Sequence, residues 1–239
     1  MSDRYNLLSV SNDPKTMKGE KKGYLTGILY LAPANLSGHN VCPDSTAGCR
    51  AVCLNTAGLG GVFNTIQVAR KRKTELFYKQ KDVFFHFLQK DITKLQEEAK
   101  RRHLIPCVRL NGTSDLPFEK IAPYIFTSNR GVKFYDYTKT VRRYSEWLNK
   151  PAFQNFHLTL SSHENMGIET IDEVLIRKGT VTVVFSTPKS KELPLTYKGH
   201  PVYNGDESDL RFLDKKGHII GLKAKGKARQ DTSGFVISV

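Results

Sequence analysis

The chain has 239 residues, 39% of them apolar and 25% charged, which suits a folded globular core and excludes a disordered or fibrous chain. No apolar run approaches the ~20 residues that span a bilayer, and the first residues lack the apolar core of a signal peptide, so no membrane role and a cytoplasmic location are expected. A formal net charge of +14 favours polyanionic partners, either nucleic acid or another phosphate-bearing ligand.

Residues 1–23 are polar and basic and read as a loosely docked N-terminal arm; 24–239 reads as one domain. Runs rich in β-branched and aromatic residues at 24–32, 105–110, 132–137, 156–160, 180–185, 201–203 and 219–223 predict strands. Apolar residues at helical spacing predict a long helix over 64–102 and shorter ones over 117–124, 141–149, 168–177 and around 190–193. Strands that alternate with helices predict parallel pairing through crossover helices, hence an α/β fold.

Most of these strands run out into small polar or ionisable residues, and the carboxyl ends of parallel strands are where such folds build their sites. Asn111, Ser114 and Asp115 follow the second run, Asp136 and Lys139 leave the third, Ser161, His163 and Glu164 the fourth, and Ser186 the fifth. Asp115, Asp136, Lys139, His163 and Glu164 are the candidates for acid–base or charge-bearing roles. Asn111, Ser114, Ser161 and Ser186 are the candidates for hydrogen bonds to a bound cofactor. Each of them also reads as a turn former or helix cap.

The four cysteines are the most specific feature. Cys42, Cys49 and Cys53 fall within twelve residues of one loop, 38–61, with the spacing Cys-x6-Cys-x3-Cys. Four residues separate Cys49 from Cys53, so one helical turn puts both thiols on one face. In a reducing compartment such a group points to a soft metal rather than disulfides. Zinc prefers tight Cys-x2-4-Cys pairs, which are missing here, so a [4Fe–4S] cluster is expected ahead of zinc. Cys107, in the second strand, is the candidate fourth ligand and also reads as an ordinary core thiol; His39 is another.

The stretch 23–58, with its Cys-Pro, Gly-Cys and Cys-Leu pairs, together with Val108-Arg-Leu-Asn-Gly-Thr-Ser-Asp115, resembles a family of proteins found mainly in phage genomes, the gene-product-88-like proteins. The resemblance covers most of the chain. It implies a viral origin and thus the host cytoplasm, and names no reaction. The cysteine loop after the first strand is also similar to that of radical-SAM enzymes. This second resemblance implies a single-domain open or partial (β/α) barrel, with a [4Fe–4S] cluster whose open iron is chelated by S-adenosylmethionine. The sequence departs from that pattern in two places. The usual spacing there is Cys-x3-Cys-x2-Cys, and Asn111-Gly-Thr-Ser-Asp115 stands where a Gly-Gly-Glu stretch is expected. The function expected from these readings is an iron–sulfur enzyme acting on a nucleotide or nucleic acid. The alternative is a non-enzymatic, metal-stabilised nucleic-acid-binding protein.

Overall fold

The computed structural model describes residues 5–11 and 14–239. In chain order the elements are β1 (Leu8–Val10), α1 (Pro14–Glu20), β2 (Tyr24–Leu29), α2 (Ala47–Ala51), α3 (Gly58–Val62), α4 (Asn64–Lys79), α5 (Lys81–Arg101), β3 (Ile105–Arg109), α6 (Phe118–Ile121), α7 (Pro123–Ser128), β4 (Lys133–Thr138), α8 (Val141–Asn149), β5 (Phe156–Ser161), α9 (Ile168–Ile176), β6 (Thr180–Phe185), β7 (Thr196–Tyr197), β8 (His200–Asn204) and β9 (His218–Lys223). The protein is mixed α/β. Its chain forms two compact units, Met1–Pro43 with Phe63–Asp136 and Ala152–His157, and Asp44–Val62 with Tyr137–Pro151 and Leu158–Val239.

In the first unit the strand order is β1-β2-β3-β4. β1 lies antiparallel to β2, with Leu8 opposite Leu29; β2 and β3 are parallel, with Tyr24 opposite Ile105, as are β3 and β4, with Cys107 opposite Lys133. The amphipathic helix α5 buries Phe84, Phe85, Leu88, Ile92 and Leu95, and Leu95 reaches the bare backbone of Gly27 in β2. The sequence predicts one helix over 64–102, whereas the chain breaks at Gln80, whose backbone leaves the helical region at φ −141° and ψ 63°. The break folds α4 back on α5, so that Phe77 meets Phe84 edge-on at 5.2 Å and Phe118 at 5.8 Å. A straight helix would carry those apolar faces apart.

In the second unit the order is β5-β6-β9-β8-β7, where β4 contributes from Tyr137 and β5 from Leu158. β5 and β6, β6 and β9, and β8 and β9 pair in parallel, and β7 closes the edge as a short antiparallel hairpin with β8. Tyr144 of α8 is fully buried, and its hydroxyl accepts the N–H of Thr180 at the start of β6. The helix expected around 190–193 is absent: Pro188 and Pro194 bracket it, and a single turn stands there instead. In both units the main parallel strands follow one another in sequence order, without the reversal that marks a doubly wound sheet. Among the described residues, neither unit's strands close on themselves.

The expected loose arm is held down. Leu7 and Leu8 are buried, and both their N–H groups donate to one carboxylate oxygen of Asp91 in α5, at 2.6 and 3.1 Å. Lys73 donates to the Leu7 carbonyl at 2.8 Å, and burial lowers its ammonium to a pKa of about 8. Asp91→Ala leaves two buried N–H groups without an acceptor. It is expected to cost about 1–3 kcal/mol in urea unfolding, with amide protection in β1 lost first. Unchanged stability and protection would show that water replaces the carboxylate.

Candidate functional site

Two groups of predicted residues are brought together, one in each unit. In the first unit the chain leaves β3 into a turn built around Asn111. The backbone N–H of Asn111 donates to Asp136 Oδ1 at 2.7 Å and its side-chain amide to Oδ2 at 3.0 Å, while its own carbonyl oxygen accepts from Ser114 Oγ and from the N–H of Leu116. Asn111 and Asp136 are buried. Every printed polar contact of the pair serves the turn, so a brace accounts for their geometry. Gly112 passes so close to Tyr30 and the Leu29 carbonyl that no side chain fits there. Cys42 packs on this turn. Its sulfur lies 3.7 Å from the Thr113 carbonyl oxygen and accepts the N–H of Ala34 at 3.4 Å, and the Asp115 N–H donates to the neighbouring Val41 carbonyl.

Cys107 stands apart in character. It is fully buried within β3, and burial pushes its thiol far above the ordinary range, against the thiolate a metal requires.

In the second unit the short helix α2 carries Cys49, and Cys53 follows it. Thr46 caps this helix by accepting the N–H of Cys49 at 3.1 Å. Glu164, just past the end of β5, grips the same cap: the Thr46 hydroxyl donates to Oε2 and the Gly48 N–H to Oε1, both at 2.7 Å. A side chain on Gly48 would run into Glu164 and Ser233. Burial opposes the charge of Glu164, but the hydrogen bonds from Thr46 and Gly48 and the nearby His163 outweigh it and hold the carboxyl below its usual value. Val52, between the cysteines, packs with Ala224, Ala228 and Val236, with Phe235 and Val184 alongside.

Lys139 also belongs here. Its ammonium donates to Ser161 Oγ at 2.9 Å and the Ser162 carbonyl at 3.4 Å, and lies 4.7 Å from the centre of the Phe235 ring. Burial first, then the Lys139 charge, lower the pKa of His163, against smaller opposing effects of Glu164 and Asp44. Asp44 accepts the hydroxyl of Thr140. Ser186 ties down the last residues, through Ser186 N–H to the Ile237 carbonyl and Val239 N–H to Ser186 Oγ.

Sequence reasoning missed Asp44, Thr46, Gly48 and Phe235. Only Thr46 carried a visible signal, a threonine three residues before Cys49, where an N-cap belongs. None of the four cysteines is in a disulfide. Among the described residues, no group of three or more His, Cys, Asp or Glu side chains is placed to hold a metal ion. No helix of the described residues is long and apolar enough to cross a membrane.

Sequential parallel strands joined by helices, with polar exits and a cysteine-bearing loop after the first parallel strand, define a protein of the βα-repeat class. More particularly, the chain belongs to the gene product 88 family of phage proteins, whose model matches residues 6–239. Neither a curated protein nor a solved structure matches it.

The depressed acidity of Glu164 fixes a sign. Its contribution to stability is complete above the ordinary value of 4.5 and is lost as pH falls through the lowered folded value. Glu164→Gln, which mimics the protonated form, is therefore expected to melt about 2–4 °C below the native chain near neutral pH. The gap should close as pH drops below that range, and a gap independent of pH would sink the charged clamp.

Proposed function

We propose that this chain is an iron–sulfur protein in which Cys42, Cys49 and Cys53 supply the thiolates, on a frame akin to the partial (β/α) barrel of radical-SAM enzymes. The observation that carries the reading is the Glu164 clamp. A carboxylate from a strand exit, where such folds keep their chemistry, is committed to holding the cap of the cysteine helix. The donor set fits a soft metal by type: Cys42, Cys49 and Cys53 are partly exposed thiols outside disulfides, and Cys42 already receives an amide N–H. As they stand these side chains do not form a metal group. Binding therefore requires the loop to close around the cluster, the usual coupling of metal binding to local folding. Cys107 is left out of the ligand set because it is buried and its thiol is hard to ionise. Three ligands leave one iron open for a small molecule, S-adenosylmethionine being the one the radical-SAM likeness suggests. The phage family and the charge of +14 support a nucleotide or nucleic acid in the host cytoplasm as its target.

Iron and acid-labile sulfide in anaerobically purified protein test the reading. About four of each per chain, with absorption near ~400 nm, are expected. Cys49→Ala and Cys53→Ala should lose the colour, and Cys107→Ala should keep it. A colourless protein holding one tightly bound zinc would overturn the cluster and favour the metal-stapled binding module.

A further inference from the structure

Two hydrogen-bond donors in the second unit stand beside the Lys139 ammonium with nothing to donate to. The Ser161 hydroxyl accepts from Lys139, which leaves its own hydrogen pointing elsewhere, and among the described residues it meets no acceptor. The Asn165 N–H donates to Nδ1 of His163, so the neutral ring carries its proton on Nε2. That N–H also has no acceptor among the described residues. The two carboxylates that act on His163 are already engaged, Glu164 by Thr46 and Gly48 and Asp44 by Thr140. The Lys139 ammonium rests against the face of Phe235, a contact worth little beside a full ion pair. A cation, a hydroxyl and an imidazole N–H at one strand exit make a donor set that lacks its acceptor.

We infer that Lys139, Ser161 and His163 form a subsite for a phosphate monoester, and that Phe235 holds the ammonium until the phosphate displaces it. A carboxylate brings two oxygens and one charge. A phosphate monoester brings three oxygens and close to two charges, enough for all three donors at once. A nucleotide and the phosphorylated end of a nucleic-acid strand share this chemistry. The subsite uses no cysteine and does not rest on the iron–sulfur reading, so each can fail alone.

The experiment follows the His163 ring by NMR in the full chain, as purified and again after iron removal. It is titrated with orthophosphate, a nucleoside monophosphate, and a short single strand with and without a 5′-phosphate. Burial and Lys139 push the His163 midpoint down, while Glu164 and Asp44 push it up. A bound dianion adds to the second pair, so phosphate is expected to raise the midpoint. Lys139→Gln should weaken binding by about tenfold or more, and Ser161→Ala by less. Phe235→Leu keeps an apolar contact for Val52 and should tighten binding. Tighter binding of the mononucleotide assigns a nucleotide, and tighter binding of the phosphorylated strand assigns a nucleic-acid end. The proposal is overturned if no phosphate moves His163, if Lys139→Gln or Ser161→Ala, folded by its amide spectrum, binds like the native chain, or if the strand binds equally well without its terminal phosphate.

Discussion

Carboxylates that hold backbone N–H groups are the interaction on which the loops of this protein depend. With 23 acidic against 37 basic residues, acids are scarce and every one has cations to choose from. Yet Asp91 binds the amides of Leu7 and Leu8, Asp136 that of Asn111, Glu164 that of Gly48, and Asp231 those of Ser233 and Val236. The physical reason is that a surface ion pair in such a chain gains little, since both partners are well solvated apart. A loop amide turned away from water gains more, because an unpaired one costs its full desolvation. The basic side chains are thereby left to the surface, where they give the chain its long-range attraction for anions.

Much of the frame was readable from local pattern. The helix at 141–149 and the strand at 180–185 have the bounds that side-chain periodicity implies, and the other main strands differ by a few residues at their ends. What escaped were elements too short for a period to show, β1 and β7, and the break at Gln80, where the amphipathic pattern runs on but tertiary packing of Phe77 on Phe84 bends the chain.

The site was legible in its parts and not in its pairings. A histidine followed by a glutamate reads as an acid–base couple, yet Glu164 turns to a cap 116 residues earlier, a partner no local rule can name. Asp136 has the same history: it sits at a strand exit like a reactive group, and its oxygens face the turn that starts at Asn111. Thr46 was the one brace whose role lay within three residues of its target. Phe235 was unreadable because its contact with Lys139 crosses almost a hundred residues of chain.

The hold of Asp91 on β1 bears on how the protein is made. That bond closes 84 residues of chain, so β1 leaves the ribosome long before its acceptor exists. At about 5–20 residues per second the wait lasts several seconds. During it, the apolar pair Leu7 and Leu8 and the edge of β2 that they later cover are both exposed, and docking pays the entropy of closing a long loop. Two leucines flanked by charged and small polar residues keep that exposed strand short, which suits a segment that must stay soluble alone before it becomes an edge.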